Sequence, residues 1–154
     1  MAVTYHIQTI TPGGTAEQMP VTLKSGQTIR GAGTVRGTLA ADDGSVIEVA
    51  AGGALTFDEL WLRDGAVVRW HYTGGVGDML AVGTLKTANA ATLEVGGGAE
   101  LPVRVHLVSY QDGENLANTV WTVRGASSHV RVVVNAATKT LDLVTHRGTV
   151  ILIQ

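Results

Sequence analysis

Residues 39–50 read LAADDGSVIEVA, and residues 60–71 read LWLRDGAVVRWH. Leu39 aligns with Leu60, Asp43-Gly44 with Asp64-Gly65, and Val46 with Val67, at a constant offset of 60 − 39 = 21 residues. The phrase recurs on both sides. LKTANAATLEV at 85–95 has Asn89-Ala90 in the turn position, and LKSGQTIRG at 23–31 has Ser25-Gly26. Gly26, Gly44, Gly65 and Ala90 therefore lie 44 − 26 = 18, 65 − 44 = 21 and 90 − 65 = 25 residues apart. The widest interval contains TGGVGD at 73–78, which reads as an inserted loop. A repeat of about 20 residues that carries short strands rather than helices points to a solenoid, because no copy can bury its apolar face except against the next.

Within each copy apolar and polar residues alternate, as the two faces of a strand require. One inward column collects Ile29, Ile47, Val68 and Leu93, and a second on the same face collects Gly31, Val49, Trp70 and Val95. The opposite face collects Thr28, Val46, Val67 and Thr92, then Arg30, Glu48, Arg69 and Glu94. That last column alternates in sign. Stacked in parallel at the strand spacing of about 4.8 Å, each inner charge would sit between two opposite charges. Such a column penalises a shifted register, because like charges directly opposite repel. Asp-Gly and Ser-Gly supply the corners, since Asp tolerates left-handed backbone and Gly adopts it without a steric penalty.

Composition fits many short strands joined by tight turns. Gly is 20 of 154 residues and Pro only 3, while apolar residues reach 45%, too many for a disordered chain. A formal charge of −2 with no basic patch argues against a nucleic-acid partner. The absence of Cys excludes a disulfide framework and thiolate chemistry. No apolar run approaches the roughly 18 residues of a membrane helix, so no membrane span is expected in this chain. MAVTYHIQTI has neither the basic region nor the apolar block of a signal peptide.

After residue 98 the alternating segments lengthen: AELPVRVHLVSY, TVWTVRG, SHVRVVVN, TKTLDLVTH and GTVILIQ. NAATKT at 135–140 reads as a hairpin loop between Val130-Val132-Val134 and Leu141-Leu143, and ENLANTVW at 114–121 as a loop or one helical turn. A solenoid has to cover its last rung, because an unpaired strand edge invites other chains. Residues 99–154 are expected to form that cap from antiparallel hairpins. Residues 20–98 are expected as the solenoid rungs, and 1–19 as an N-terminal strand (2–10) with a PGG turn (12–14) and a junction. The whole is one structural domain.

IRGAGTVRGTLAADDGS, followed by LWLRDGAVVRWHYTGGVGDMLAVGTLKTANAATLEV, resembles the C-terminal passenger segment of bacterial autotransporters and the related autotransporter-associated β-strand repeat proteins. Like that family, the chain has a Gly-x-Gly-Thr-Val-x-Gly stretch leading into strand repeats. An approximation of the family's Asp-x-Leu-x-Val-x-Gly element follows at Asp78-Met79-Leu80-Ala81-Val82-Gly83. VHLVSYQDG and TKTLDLV resemble the family's terminal hairpins, so the likeness covers roughly residues 20–145. Two departures stand out: IEVAAGGALTFDEL replaces the Pro-Gly-rich linker common between the family's rungs, and no membrane barrel follows. The resemblance implies an extracellular β-helix whose last rungs and cap stabilise a longer stalk and assist its folding, with no catalytic residues.

Chemistry is scarce. His6, His71, His106, His129 and His146 fall in no HxH or HExxH spacing. His71 and Asp78 flank the Gly-rich loop and read as a polar surface pair. TGGVGD lacks the Lys and Ser/Thr of a phosphate loop, and no GxSxG occurs. Asp42, Asp43, Asp58 and Asp64 could in principle serve acid–base or calcium chemistry on one coil face. Corner formation accounts for Asp43 and Asp64, which both precede Gly. Trp61, Trp70 and Tyr72 raise the prospect of a sugar-stacking strip, but Trp70 falls in an inward column and Trp61 is left open.

The expectation is thus an all-β chain: a right-handed parallel β-solenoid of three to four rungs with a C-terminal β-hairpin cap, or else a β-sandwich or jelly roll built from the same strands. No catalytic, cofactor-binding or metal residue is assigned. The expected role is a non-enzymatic terminal part of a secreted or cell-surface stalk or adhesin. Its partners would be preceding rungs, further copies of itself, or a surface glycan. The alternatives are a self-assembling fibre subunit and a polysaccharide-binding or polysaccharide-cleaving β-helix.

Overall fold

The computed structural model describes residues 3–7, 22–49, 53–73, 76–77, 79–96, 101, 103–126 and 129–145. These residues are all-β, with a single 3-10 turn at Leu116–Asn118. The strands are β1 (Val3–Ile7), β2 (Thr22–Leu23), β3 (Gln27–Gly31), β4 (Gly33–Ala41), β5 (Val46–Val49), β6 (Ala54–Leu62) and β7 (Ala66–Thr73). They continue with β8 (Val76–Gly77), β9 (Met79–Thr87), β10 (Ala90–Gly96), β11 (Arg104–Glu114), β12 (Val120–Arg124), β13 (Val130–Asn135) and β14 (Thr140–Thr145).

Two parallel-rich sheets result. Sheet A runs β1-β3-β5-β7-β10-β12, and sheet B runs β2-β4-β6-β9-β11-β14-β13. From β2 to β12 the chain visits the sheets in turn, B then A, with β8 as a side hairpin on β7. Every neighbouring pair from β1 to β12 within the two sheets is parallel.

The register follows the sequence repeat. Ile29 pairs with Ile47, Ile47 with Val68, and Val68 with Leu93. All four are fully buried, as are Val49 and Trp70 in the neighbouring inward column. Sheet B carries its own inward column, Leu39–Leu60–Leu85, with Val35–Phe57–Val82 beside it. Both sheets contribute to one hydrophobic cluster, so the apolar area removed from water is shared between them and supplies the main drive to fold. The outward residues Thr28, Val46, Val67 and Thr92 are half-buried.

The corners stack like the strands. The Gly26 N–H donates to the Gly44 carbonyl, Gly44 to Gly65, and Gly65 to Ala90, at 3.1, 3.0 and 3.2 Å. Gly65 has φ +81°, and a Cβ there would lie 2.0 Å from the Asp43 carboxylate, so both backbone and neighbour demand glycine. At the next corner Ala90 stands in the glycine position. The Asp64 carboxylate accepts the Asn89 and Ala90 N–H groups there, at 2.8 and 3.1 Å, and so holds that turn from the corner before it.

The C-terminal part departs from the expected run of hairpins. β11 and β12 add to the stack in parallel: Val108 pairs with Leu80, Tyr110 with Val82, Trp121 with Ala91, and Val123 with Leu93. The apolar columns therefore continue past residue 98. The corner between β11 and β12 uses the 3-10 turn in place of Asp-Gly, with Asn115 at φ 66° taking the left-handed role. Among the described residues, antiparallel pairing in the large sheets is confined to β11–β14 and β13–β14; the latter pair is a hairpin, as expected, with its turn at 136–139 inside the expected 135–140 loop. Sheet B thus runs two strands beyond the last corner, and β13 comes against β12. The TGGVGD insertion holds β8, which pairs Tyr72 with Gly77 and Thr73 with Val76. The PGG turn at 12–14, Asp78, His146 and GTVILIQ lie outside the described residues.

Candidate functional site

Three groups of side chains carry chemistry. The first is the charged column of sheet A, where Arg30, Glu48, Arg69 and Glu94 lie on successive neighbouring strands. β12 adds Arg124 opposite Glu94. Arg69 donates to Glu94 from Nε at 2.9 Å and to Glu48 from Nη1 at 3.1 Å. Arg30 lies 3.8 Å from Glu48, and Arg124 lies 3.7 Å from Glu94. The hydrogen bond to Glu94 raises the Arg69 pKa above its ordinary value, against burial and with help from Glu48. His71 sits 3.7 Å from Glu48. Every inner charge of the column has an opposite charge on each side.

The four aspartates scatter. Asp42 accepts from Arg63 at 2.9 Å, Asp43 lies over Gly65, Asp58 accepts the Gly37 N–H at 3.0 Å, and Asp64 holds the next corner. The carboxylates of Asp42, Asp58 and Asp64 are each engaged by a neighbouring strand or turn. Among the described residues no group of three or more His, Asp or Glu is placed to hold a metal ion.

The aromatic residues also separate. Trp70 and Tyr72 are buried and stack with ring centroids 6.0 Å apart. Trp61 alone remains on the outer face of β6, 39% exposed, with the Arg63 guanidinium carbon 4.5 Å from its ring centroid. A continuous stacking strip of all three rings is therefore ruled out.

The third group was not legible beforehand. Asp142, on β14, has a side chain with no solvent exposure. It accepts from Thr140 Oγ1 at 2.6 Å, His106 Nδ1 at 2.7 Å, Asn135 Nδ2 at 3.0 Å, and Arg104 Nη1. Burial pushes its carboxyl upward. The hydrogen bonds from Thr140, His106, Asn135 and Arg104 outweigh burial and lower it from 3.8 to about 2. An ionised Asp142 can only accept, so His106 bonds it through a protonated Nδ1, and in the neutral ring Nε2 is the free base. That ring is 60% exposed and borders a recess of about 180 Å³ shared with Ser109 and Thr140. No hydrogen bond joins Ser109 to His106 among the described residues. The cluster ties β11, β13 and β14 together.

Its signal lay in two polar positions, His106 and Asp142, on facing alternating strands. They are separated by 36 residues and belong to no local motif.

Set against protein-family models, curated proteins and solved structures, this chain has no match in any of the three.

Proposed function

We propose that this chain is a non-enzymatic structural module, the terminal part of a secreted or surface-exposed stalk or adhesin, built as a parallel β-solenoid. In this reading each B-to-A passage is one rung, and β14 and β13 close the C-terminal end. The observation that carries it is the unbroken register of the columns Ile29–Ile47–Val68–Leu93–Val123 and Arg30–Glu48–Arg69–Glu94–Arg124. Such columns are what nearest-neighbour stacking of repeats requires. The resemblance to autotransporter passengers supports the placement outside the cell through sequence motifs. No helix among the described residues is long and apolar enough to cross a membrane.

An in-register excision tests the architecture. Ala41 pairs with Leu62 and Leu62 with Thr87. Removing residues 42–87 therefore joins equivalent points two rungs apart and leaves Arg30 facing Glu94. The shortened chain is expected to stay monomeric and to melt cooperatively by circular dichroism. Removing 42–86, one residue out of register, is expected to abolish folding. If neither shortened chain folds, or both do equally well, the solenoid reading fails. The placement is tested separately, by protease shaving of intact cells that express the natural gene.

A further inference from the structure

Trp61 is not needed by the core. Its neighbours Leu60 and Leu62 are fully buried, so alternation along β6 turns Trp61 outward. Yet its ring is held. Arg63 covers it at 4.5 Å, and Asp42 in turn fixes Arg63 at 2.9 Å. Beside it opens a cleft of about 630 Å³, bounded by Trp61, Lys86, Glu114 and the Asn115–Asn118 turn. That volume lies within the roughly 300–1,000 Å³ of small-molecule sites. The register builds the cleft: Trp61 pairs with Lys86, and Lys86 with Glu114.

We propose that this cleft binds a neutral sugar chain. Two features select that class. With Arg63 over one face, the indole is still 39% exposed and leaves apolar ring surface for the C–H face of a pyranose. The cations around it are already matched: Lys86 lies 3.2 Å from Glu59 and 3.9 Å from Glu114, and Arg63 is matched by Asp42. Among the described residues that border the cleft no positive charge is left uncompensated to recruit an anion, while the polar rim still offers hydrogen-bond partners for hydroxyl groups. The rim is also ordered in advance. Asn115 Nδ2 donates to the Thr87 and Ala88 carbonyls, and Asn118 Nδ2 donates to Asn115 Oδ1. Little side-chain freedom is then lost on binding. The site goes beyond the scaffold role and does not depend on it.

Isothermal titration of the full chain with cellohexaose, xylohexaose, mannohexaose and chitohexaose, and with hexagalacturonate as the anionic probe, tests this. At least one neutral oligosaccharide is expected to bind. Trp61→Ala should weaken it about tenfold or more, and Trp61→Phe less. Val103→Ala, at an exposed apolar residue away from the cleft, should leave it unchanged. Circular dichroism and melting verify that each variant is folded. Should Trp61→Ala not fold, Glu114→Ala on the rim takes its place, with a several-fold loss expected. The proposal is overturned if no neutral oligosaccharide binds at millimolar concentration, if binding survives Trp61→Ala and Glu114→Ala undiminished, or if only hexagalacturonate binds.

Discussion

The outer face of sheet A and the C-terminal end of sheet B both rely on ionic groups, in opposite ways. On sheet A, five charges are spread along one column, and exposure runs from 12% at the Glu48 side chain to 63% at Arg124. Each pair contributes little, because solvent screens it and long side chains lose freedom when held. What the column supplies is selectivity among registers. At the end of sheet B, one carboxylate with no exposure gathers four donors. All four donors converge on that single acceptor. A stack can distribute its electrostatics where neighbours are alike, but where stacking stops it depends on a local network.

The comparison yields predictions of decreasing size. The largest concerns the faces of sheet A. Val68→Asp would bury an unpaired carboxylate in the Ile47–Val68–Leu93 column and is expected to cost several kcal/mol, roughly 4 or more. Val67→Asp, one residue away on the half-buried outer face, should cost about 1 kcal/mol. Urea denaturation of both variants measures the gap, and equal midpoints would reverse the face assignment.

Next is Asp142. Asp142→Ala leaves Arg104, His106 and Asn135 without their common acceptor, and a loss of about 3 kcal/mol is expected. A loss below that of any single ladder variant would erase the contrast between the two regions.

The third prediction concerns acid. The folded pKa of Asp142, about 2, lies below its ordinary 3.8, so its stabilising contribution is complete above 3.8 and is lost as pH falls towards 2. Wild type should therefore exceed Asp142→Asn in stability at pH 7, with the gap closing between pH 4 and pH 2. Chemical denaturation across that range reads it directly, and a gap that stays constant with pH would show that Asp142 is not the group responsible.

The smallest effects belong to the ladder. Glu48→Gln should cost about 1 kcal/mol, because Glu48 serves Arg30, Arg69 and His71 at once. Arg124→Ala should cost about 0.5 kcal/mol or less. Adding 1 M NaCl should shrink both ladder effects while leaving the Asp142→Ala loss largely intact, since buried pairs are screened less.

The same contrast explains what could be read from the sequence. Ile29, Ile47, Val68 and Leu93, with the charges beside them, were legible because repetition shows equivalent positions several times over. In the sequence the column is visible only as far as Glu94. Arg124 escaped because the corner before it is made by Asn115 and a 3-10 turn, so the Asp-Gly marker of equivalence is missing. For the same reason β11 and β12 read as hairpins, although their apolar residues continue the columns. Asp142 escaped for a deeper reason. TLDLV shows an outward polar residue between two inward leucines, which normally means solvent. That Arg104, His106 and Asn135 lie across it is a property of strand pairing over long separations, and no local pattern encodes it.

The ladder has an odd count, and that has a consequence for assembly. It begins and ends on arginine, and β1 places His6 at the register position beyond Arg30. If a second copy laid its β1 along β12, the alternation of sign would lapse, because register position 6 carries no acidic residue. An extended segment with a carboxylate opposite Arg124 would instead keep the alternation going. In polymer terms the column is a short block bounded by the same charge on both sides, and its alternation can be extended only by an opposite charge.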